Sequence, residues 1–194
     1  MTFAAEHPPA PARVRLPRLA PVIIIDTREQ RPLAIEAFSV KRVGLPVGDY
    51  GILGFSDWSR PAFICERKGI DDLVGGLTAG RERFMREVEK MRAFQFRALL
   101  IEARREQVEL GHYVSSATPQ SILATLDALA VRAGLHIFWC DDPEGAARQL
   151  EGLVRQFVRG IEKAYRALLA NRAEDGPTMP VAGKTEAGAD EEPC

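Results

Sequence analysis

The stretch Phe63-Ile64-Cys65-Glu66-Arg67-Lys68 runs an apolar segment straight into three charged side chains. Side chains two apart on a β-strand share a face, so Glu66 and Lys68 point one way and Arg67 the other. A carboxylate beside an ammonium at a strand edge can bind a divalent cation and orient a water next to a phosphodiester, where cation and lysine together offset developing negative charge. Two more acids stand at comparable places. Asp49 follows Gly48 in a Gly/Pro-flanked turn, and Asp26 follows the β-branched run Val22-Ile23-Ile24-Ile25, with Arg28 one step along the same face and Glu29 beyond it. Like charges raise one another's pKa, so Asp26, Asp49 and Glu66 brought into one cleft call for Mg2+ or Mn2+ as their partner. Taken singly, each acid also fits ordinary solvent-facing punctuation at a strand end. The ordered set across three strands and the following helix is more specific than any member.

The elements that must position these residues alternate along the chain. Residues 21–26, 38–53, 62–68, 97–103 and 135–140 read as strands, the second as two segments bent around Gly44, Pro46 and Gly48. Helices fill the gaps: a short one over 69–77, one over 80–94 with Phe84, Val88 and Met91 on a single stripe, and one from Thr118 as N-cap to Gly134. The longest is capped by Asp142 and started by Pro143, with its apolar stripe running to about residue 170. This order predicts an α/β architecture with a mixed central β-sheet flanked by helices.

Composition narrows the class. The chain has 194 residues, 46% of them hydrophobic and 27% charged, which suits one domain over 21–170. A Pro/Arg-rich segment over 1–20 and an acidic tail over 171–194 read as disordered. No apolar stretch approaches the roughly 20 residues of a membrane span, and the N-terminus lacks the pattern of a secretory signal. Cys65, Cys140 and Cys194 form no CxxC pair, and His7, His112 and His136 fit no metal-ligand spacing. These features suggest a reducing compartment and a cytoplasmic protein, nucleoid-associated in a bacterium. The net charge of −1 excludes a generally basic nucleic-acid binder, so phosphate binding must come from a local patch. No GxSxG elbow or Walker-type GxxxxGK loop occurs, which sets aside other α/β hydrolase and nucleotide-binding readings.

The segments VIIIDTRE, VGDY, CERKGIDDL and AGRERF resemble the nuclease domain of the XPF-type structure-selective endonucleases, whose signature is GD, a variable gap, ERK, three residues and D. Here that signature is Gly48-Asp49, Glu66-Arg67-Lys68 and Asp72, with Asp26 and Glu29 matching the upstream acids, and the likeness covers about residues 20–165. The resemblance implies a restriction-endonuclease-like fold and Mg2+- or Mn2+-dependent hydrolysis of DNA near a branch or single-strand/double-strand junction, in DNA repair or recombination. It also implies dimerisation through the C-terminal helices. Residue by residue, it implies Asp26, Glu29, Asp49, Glu66 and Lys68 as catalytic residues, with Asp49, Glu66 and Asp26 on the metal. Lys68 would contact the attacking water or the scissile phosphate. Arg28, Arg67 and Asp72 would support the site, with strand alternation aiming Arg67 into a structural ion pair, Asp72 being its expected partner.

Many members of the family carry a tandem helix-hairpin-helix module after this domain, whereas here the last helix is followed by the acidic tail. Substrate choice is therefore expected from a DNA-binding partner protein, a second subunit of a homodimer, or basic residues of the domain. On the helix over 80–94, Arg83, Arg86 and Lys90 form one stripe away from the apolar positions. That stripe either tracks a DNA backbone or is a solvated face with i,i+4 pairs such as Arg83 with Glu87. Arg81, matching the family's GR, is the best single candidate for DNA contact. Leu123, Leu126, Leu129, Phe157, Ile161 and Tyr165 are apolar positions open to either core packing or a two-fold interface. The alternative to an active enzyme is a non-catalytic DNA-binding or scaffold subunit with the same fold.

Overall fold

The computed structural model describes residues 20–174, the side chains only as far as residue 170. Short β-branched runs become the strands β1 (Val22–Ile25), β2 (Ser39–Arg42), β3 (Tyr50–Ile52), β6 (Phe63–Gly69), β7 (Phe96–Glu102) and β8 (His136–Trp139). They form one six-stranded sheet in the order β2-β1-β3-β6-β7-β8. β3 runs antiparallel to both its neighbours, while β1–β2, β6–β7 and β7–β8 are parallel pairs, so the sheet is mixed as expected. Two two-residue strands, β4 (Ser56–Asp57) and β5 (Arg60–Pro61), make a separate hairpin within the β3–β6 connection.

Both faces of the sheet are covered, and strand alternation sorts the core into two. Ile24, Ile64, Leu99 and Ile101 pack against α1 (Ile70–Leu77), α2 (Arg81–Met91) and α4 (Pro119–Ala133). Ile23, Ile25, Tyr50, Phe63, Cys65 and Leu100 pack against Ala146, Leu150, Val154 and Val158 of α5 (Pro143–Glu174). Leu126 and Leu129 are core, and Leu123 is half-buried against the same cluster. A short helix, α3 (Arg105–Glu109), follows β7.

The helix ends obey local rules. Thr118 caps α4 by accepting from the Ser121 amide, Pro119 starts it, and Gly134 ends it in the left-handed region at φ 60°. Asp142 Oδ1 accepts the Gly145 amide at 2.7 Å at the start of α5. That helix continues to Glu174, into the segment expected to be an unstructured tail. The rest of the two expected tails lies outside the described residues. The compact unit carrying the sheet ends at Gly160, and the remainder of α5 belongs to a second unit.

Candidate active site

Tyr50 pairs with Ile25 of β1 on one side and Cys65 of β6 on the other. One residue further along, Asp49 lies between Asp26 and Glu66. The ladders end there with the Asp26 amide donating to the Asp49 carbonyl at 2.8 Å and the Asp49 amide to the Cys65 carbonyl at 2.9 Å. Cross-strand neighbours share a face, so the three acids point to the side of the sheet opposite Tyr50 and Cys65. Gly48 makes this approach feasible. Its φ is +74°, and a Cβ there would sit 2.8 Å from Ile64 Cγ1 and 2.9 Å from the Cys65 carbonyl oxygen. Any side chain would drive Asp49 off β6.

The strand ends open into a cleft of about 720 Å³. Asp26, Arg28, Glu29, Asp49, Glu66, Arg67, Lys68 and Asp72 all line it, joined by Glu87 and Lys90 from α2. The signature residues therefore meet in one place, although they come from β1, the β3 entry, β6 and α1.

Glu66 and Lys68 lie side by side, with Lys68 Nζ 2.8 Å from Glu66 Oε1 and both largely buried. Burial raises the Glu66 carboxyl above its ordinary range, and Lys68 pulls it only part of the way back. Burial also opposes the Lys68 charge, but Glu66 outweighs it and holds the ammonium above its usual value. Lys68 is held from behind as well, its Nζ 5.1 Å from the centroid of the Phe84 ring. Asp49 is less well compensated. Burial, followed by the charge of Glu66, pushes its carboxyl up to about 7, against the pull of the Arg67 amide donating to Oδ2 at 2.8 Å.

Asp26 behaves differently. Its side chain is only 1% exposed, and both of its oxygens are engaged. Oδ1 accepts the Arg28 amide at 2.8 Å and Nε at 2.6 Å, and Oδ2 accepts Arg28 Nη2 at 3.1 Å and the Leu45 amide at 2.5 Å. Burial alone would raise this carboxyl, but the Arg28 side chain and the Leu45 and Arg28 amides hold it below the ordinary range. Asp26 thus stands beside Asp49 and Glu66 with both oxygens hydrogen-bonded to Arg28 and Leu45. Among the described residues, no three His, Cys, Asp or Glu side chains are grouped to hold a metal ion.

Arg67 points away from Glu66 and forms the expected structural ion pair with partners other than Asp72. Its Nη1 donates to Glu102 Oε1 at 2.7 Å and its Nη2 to Glu29 Oε1 at 3.1 Å. β6 and β7 are parallel with Gly69 opposite Glu102, which places that carboxylate at the end of the neighbouring strand, whereas Asp72 is already on α1. Glu29 thus lies at the cleft wall with one oxygen committed to Arg67 and to the Arg31 amide at 2.6 Å. Glu102 was not foreseen. An acid closing the apolar run of β7, parallel to a strand bearing a buried arginine, was the available signal.

On α2, Lys90 reaches the cleft, Arg83 is exposed, and Arg86 makes an exposed i,i+4 pair with Glu82 at 3.6 Å. The expected Arg83–Glu87 pair does not form, because Glu87 turns toward the cleft. Arg81 is exposed, with its Nη1 3.4 Å from the Leu77 carbonyl.

Comparison with known proteins converges on the same region. A model of the ERCC4 domain matches residues 25–153. The DNA repair endonuclease XPF of Cricetulus griseus is 26% identical over 178 residues, which is 87% of this chain and 18% of that protein. This chain therefore spans less than a fifth of that relative's length. XPF from Aeropyrum pernix is similar in structure at 23% identity with a TM-score of 0.54, over 69% of this chain and 65% of that one. Its complex with DNA matches at the same identity and TM-score over 72% and 66%. At this identity the likeness establishes the fold, a restriction-endonuclease-like mixed sheet flanked by helices.

Proposed function

This chain belongs to the ERCC4-domain family, and from that premise we propose that it is a divalent-metal-dependent endonuclease hydrolysing DNA phosphodiesters at branched or single-strand/double-strand junction DNA. The observation that carries the proposal is the state of Asp49 and Glu66. Half-buried Asp49 and buried Glu66 face one cleft, both are pushed above their ordinary range, and among the described residues Lys68 alone supplies an ammonium that pairs with either. Such a pair is a poor stability element and a good cation site. Asp49 and Glu66 fit Mg2+ or Mn2+ as oxygen ligands. When bound, such an ion supplies Lewis-acid polarisation of the phosphoryl oxygen and a more acidic water.

The chain's own residues do the rest. Lys68, fixed between Glu66 and the Phe84 ring, presents a held positive charge where phosphate charge develops. The Arg67 amide fixes Asp49 Oδ2, and the Arg67 side chain, gripped by Glu29 and Glu102, fixes that amide. Glu29 therefore supports the site through Arg67. Lys90 at the cleft edge and exposed Arg81 and Arg83 supply charge for the DNA backbone. A homodimer or a DNA-binding partner protein completes the substrate grip.

The test is incubation of the purified protein with labelled fork, flap and linear duplex in Mg2+ or Mn2+, alongside Asp49→Asn. Wild type is expected to cut the branched substrates, with Asp49→Asn slower by at least about a thousandfold. Equal nicking by the variant would sink the proposal. DNA binding with no cleavage in either metal would favour a non-catalytic subunit instead.

A further inference from the structure

Asp26 and Arg28 pose a question that the proposed chemistry leaves unanswered. A carboxylate 1% exposed gives one acceptor site on each oxygen to a guanidinium that is itself 69% exposed. Stability does not account for this arrangement. An ion pair whose cation faces solvent contributes little, and fixing a long exposed side chain costs conformational entropy. Nor does loop closure require it, because Asp26 already takes the Arg28 and Leu45 amides, which ties the turn after β1 to the segment before Gly48.

What the guanidinium adds is a cation locked in direction. An arginine side chain carries five N–H donors, one on Nε and two on each Nη. Nε goes to Asp26 Oδ1, and Nη2 divides between Asp26 Oδ2 and the Leu45 carbonyl at 3.0 Å. None of the hydrogen bonds among the described residues uses Nη1. The side chain lines the same cleft as Asp49, Glu66 and Lys68.

We infer that Arg28 is a preorganised phosphate-binding residue, whose Nη1 donors take a non-bridging oxygen of a DNA phosphate flanking the scissile one, and that Asp26 is the positioning residue that aims it. The inference rests on the endonuclease reading, since it presumes a nucleic-acid strand in the cleft. A phosphate is the chemistry that matches: an anion with acceptor oxygens meeting a fixed, charged donor pair at an exposed rim. Lysine cannot substitute fully, because one ammonium cannot serve Asp26, the Leu45 carbonyl and a phosphate with the same directed geometry.

The experiment uses the full chain with a fluorescent splayed-arm duplex, Ca2+ replacing Mg2+, and anisotropy read across a salt series for wild type, Arg28→Gln and Arg28→Lys. A parallel set of duplexes carries one uncharged methylphosphonate at each position around the junction. Arg28→Gln is expected to bind about tenfold more weakly. Its slope of log affinity against log salt should be shallower by about 1. One methylphosphonate position that weakens wild type should cost Arg28→Gln nothing. Arg28→Lys is expected to keep the wild-type salt slope with intermediate affinity, and so reports on the charge even if Arg28→Gln folds poorly.

Wild-type affinity and slope in Arg28→Gln would overturn the inference. So would weakened binding in which every methylphosphonate still acts as it does on wild type, since that is the mark of a purely structural residue. If wild type cuts DNA and Arg28→Gln binds normally, the Arg28 assignment falls and the endonuclease reading stands. If wild type neither binds nor cuts, both fall.

Discussion

Asp26 and Asp49 are joined by a backbone hydrogen bond of 2.8 Å at the end of adjacent strands, and burial acts on both, yet their carboxyls move in opposite directions. Asp26 is held below the ordinary range and Asp49 is pushed up to about 7. The difference lies in donors. Asp26 receives two amides and a guanidinium, whereas Asp49 receives one amide and faces Glu66. Burying a carboxylate is therefore neither structural nor functional in itself. The number of donors the chain supplies decides whether the charge is already settled or left for a ligand to settle.

The sharpest way to break this contrast is to neutralise each acid in turn. Asp26→Asn leaves the Leu45 and Arg28 donors short of an acceptor in a buried position, and is expected to destabilise the protein by about 2–3 kcal/mol, read as a shifted urea midpoint. Asp49→Asn in metal-free protein is expected to leave stability at pH 8 unchanged or raised. Equal losses in the two variants would erase the distinction.

A second test uses pH. Asp49 has a higher pKa folded, about 7, than its ordinary 3.8, so the folded state holds the proton more tightly. That contribution is fully present below about pH 4 and is lost as pH rises through about 7. Metal-free wild type should thus lose stability on the order of a few kcal/mol between those limits, and Asp49→Asn should lose markedly less. Asp26 works the other way: its contribution is present above its ordinary value and lost as pH falls through its depressed one. Unfolding midpoints measured from pH 3 to 8 separate the two signs.

Smaller effects sharpen the account of how Asp49 is aimed. Glu102→Gln removes one of the two carboxylates on the Arg67 guanidinium and should cost about 1–2 kcal/mol in urea unfolding. Cleavage should fall about tenfold at saturating substrate while DNA affinity holds. At the bottom of the scale, Glu82→Gln removes an exposed pair with Arg86 at 3.6 Å and should leave the unfolding midpoint unmoved.

Much of the architecture was legible because it obeys short-range rules. The runs ending at Ile25, Cys65 and Ile101 are apolar and β-branched enough to fix three central strands, and Thr118-Pro119 and Gly134 fix both ends of α4. β4 and β5 were missed since two residues each show no period, and their pairing depends on tertiary context. Ser56 Oγ, for instance, is held between the Ile52 amide and the Phe63 carbonyl. In the cleft, strand alternation gave the sides taken by Glu66, Arg67 and Lys68. It could not give partners. Glu102 lies 35 positions from Arg67, and only the parallel register of β6 and β7 brings them together. Nor does a sequence show, beside the acid at Asp26, the two amides and the guanidinium turned toward it.

Tyr50 carries a last consequence. It points to the opposite face from Asp49, is fully buried, and its hydroxyl accepts the Leu33 amide at 2.9 Å. The step in the chain that aims a carboxylate into the cleft also rivets down the segment that follows Glu29. The cleft wall that runs on from Glu29 is thereby tied to the strand that follows Asp49, and under the proposed function bending falls on the nucleic acid. Continuous duplex resists such bending, whereas a nick, flap or fork yields readily. Preference for interrupted DNA can then emerge from the compliance of the ligand, with no side chain dedicated to recognising a junction.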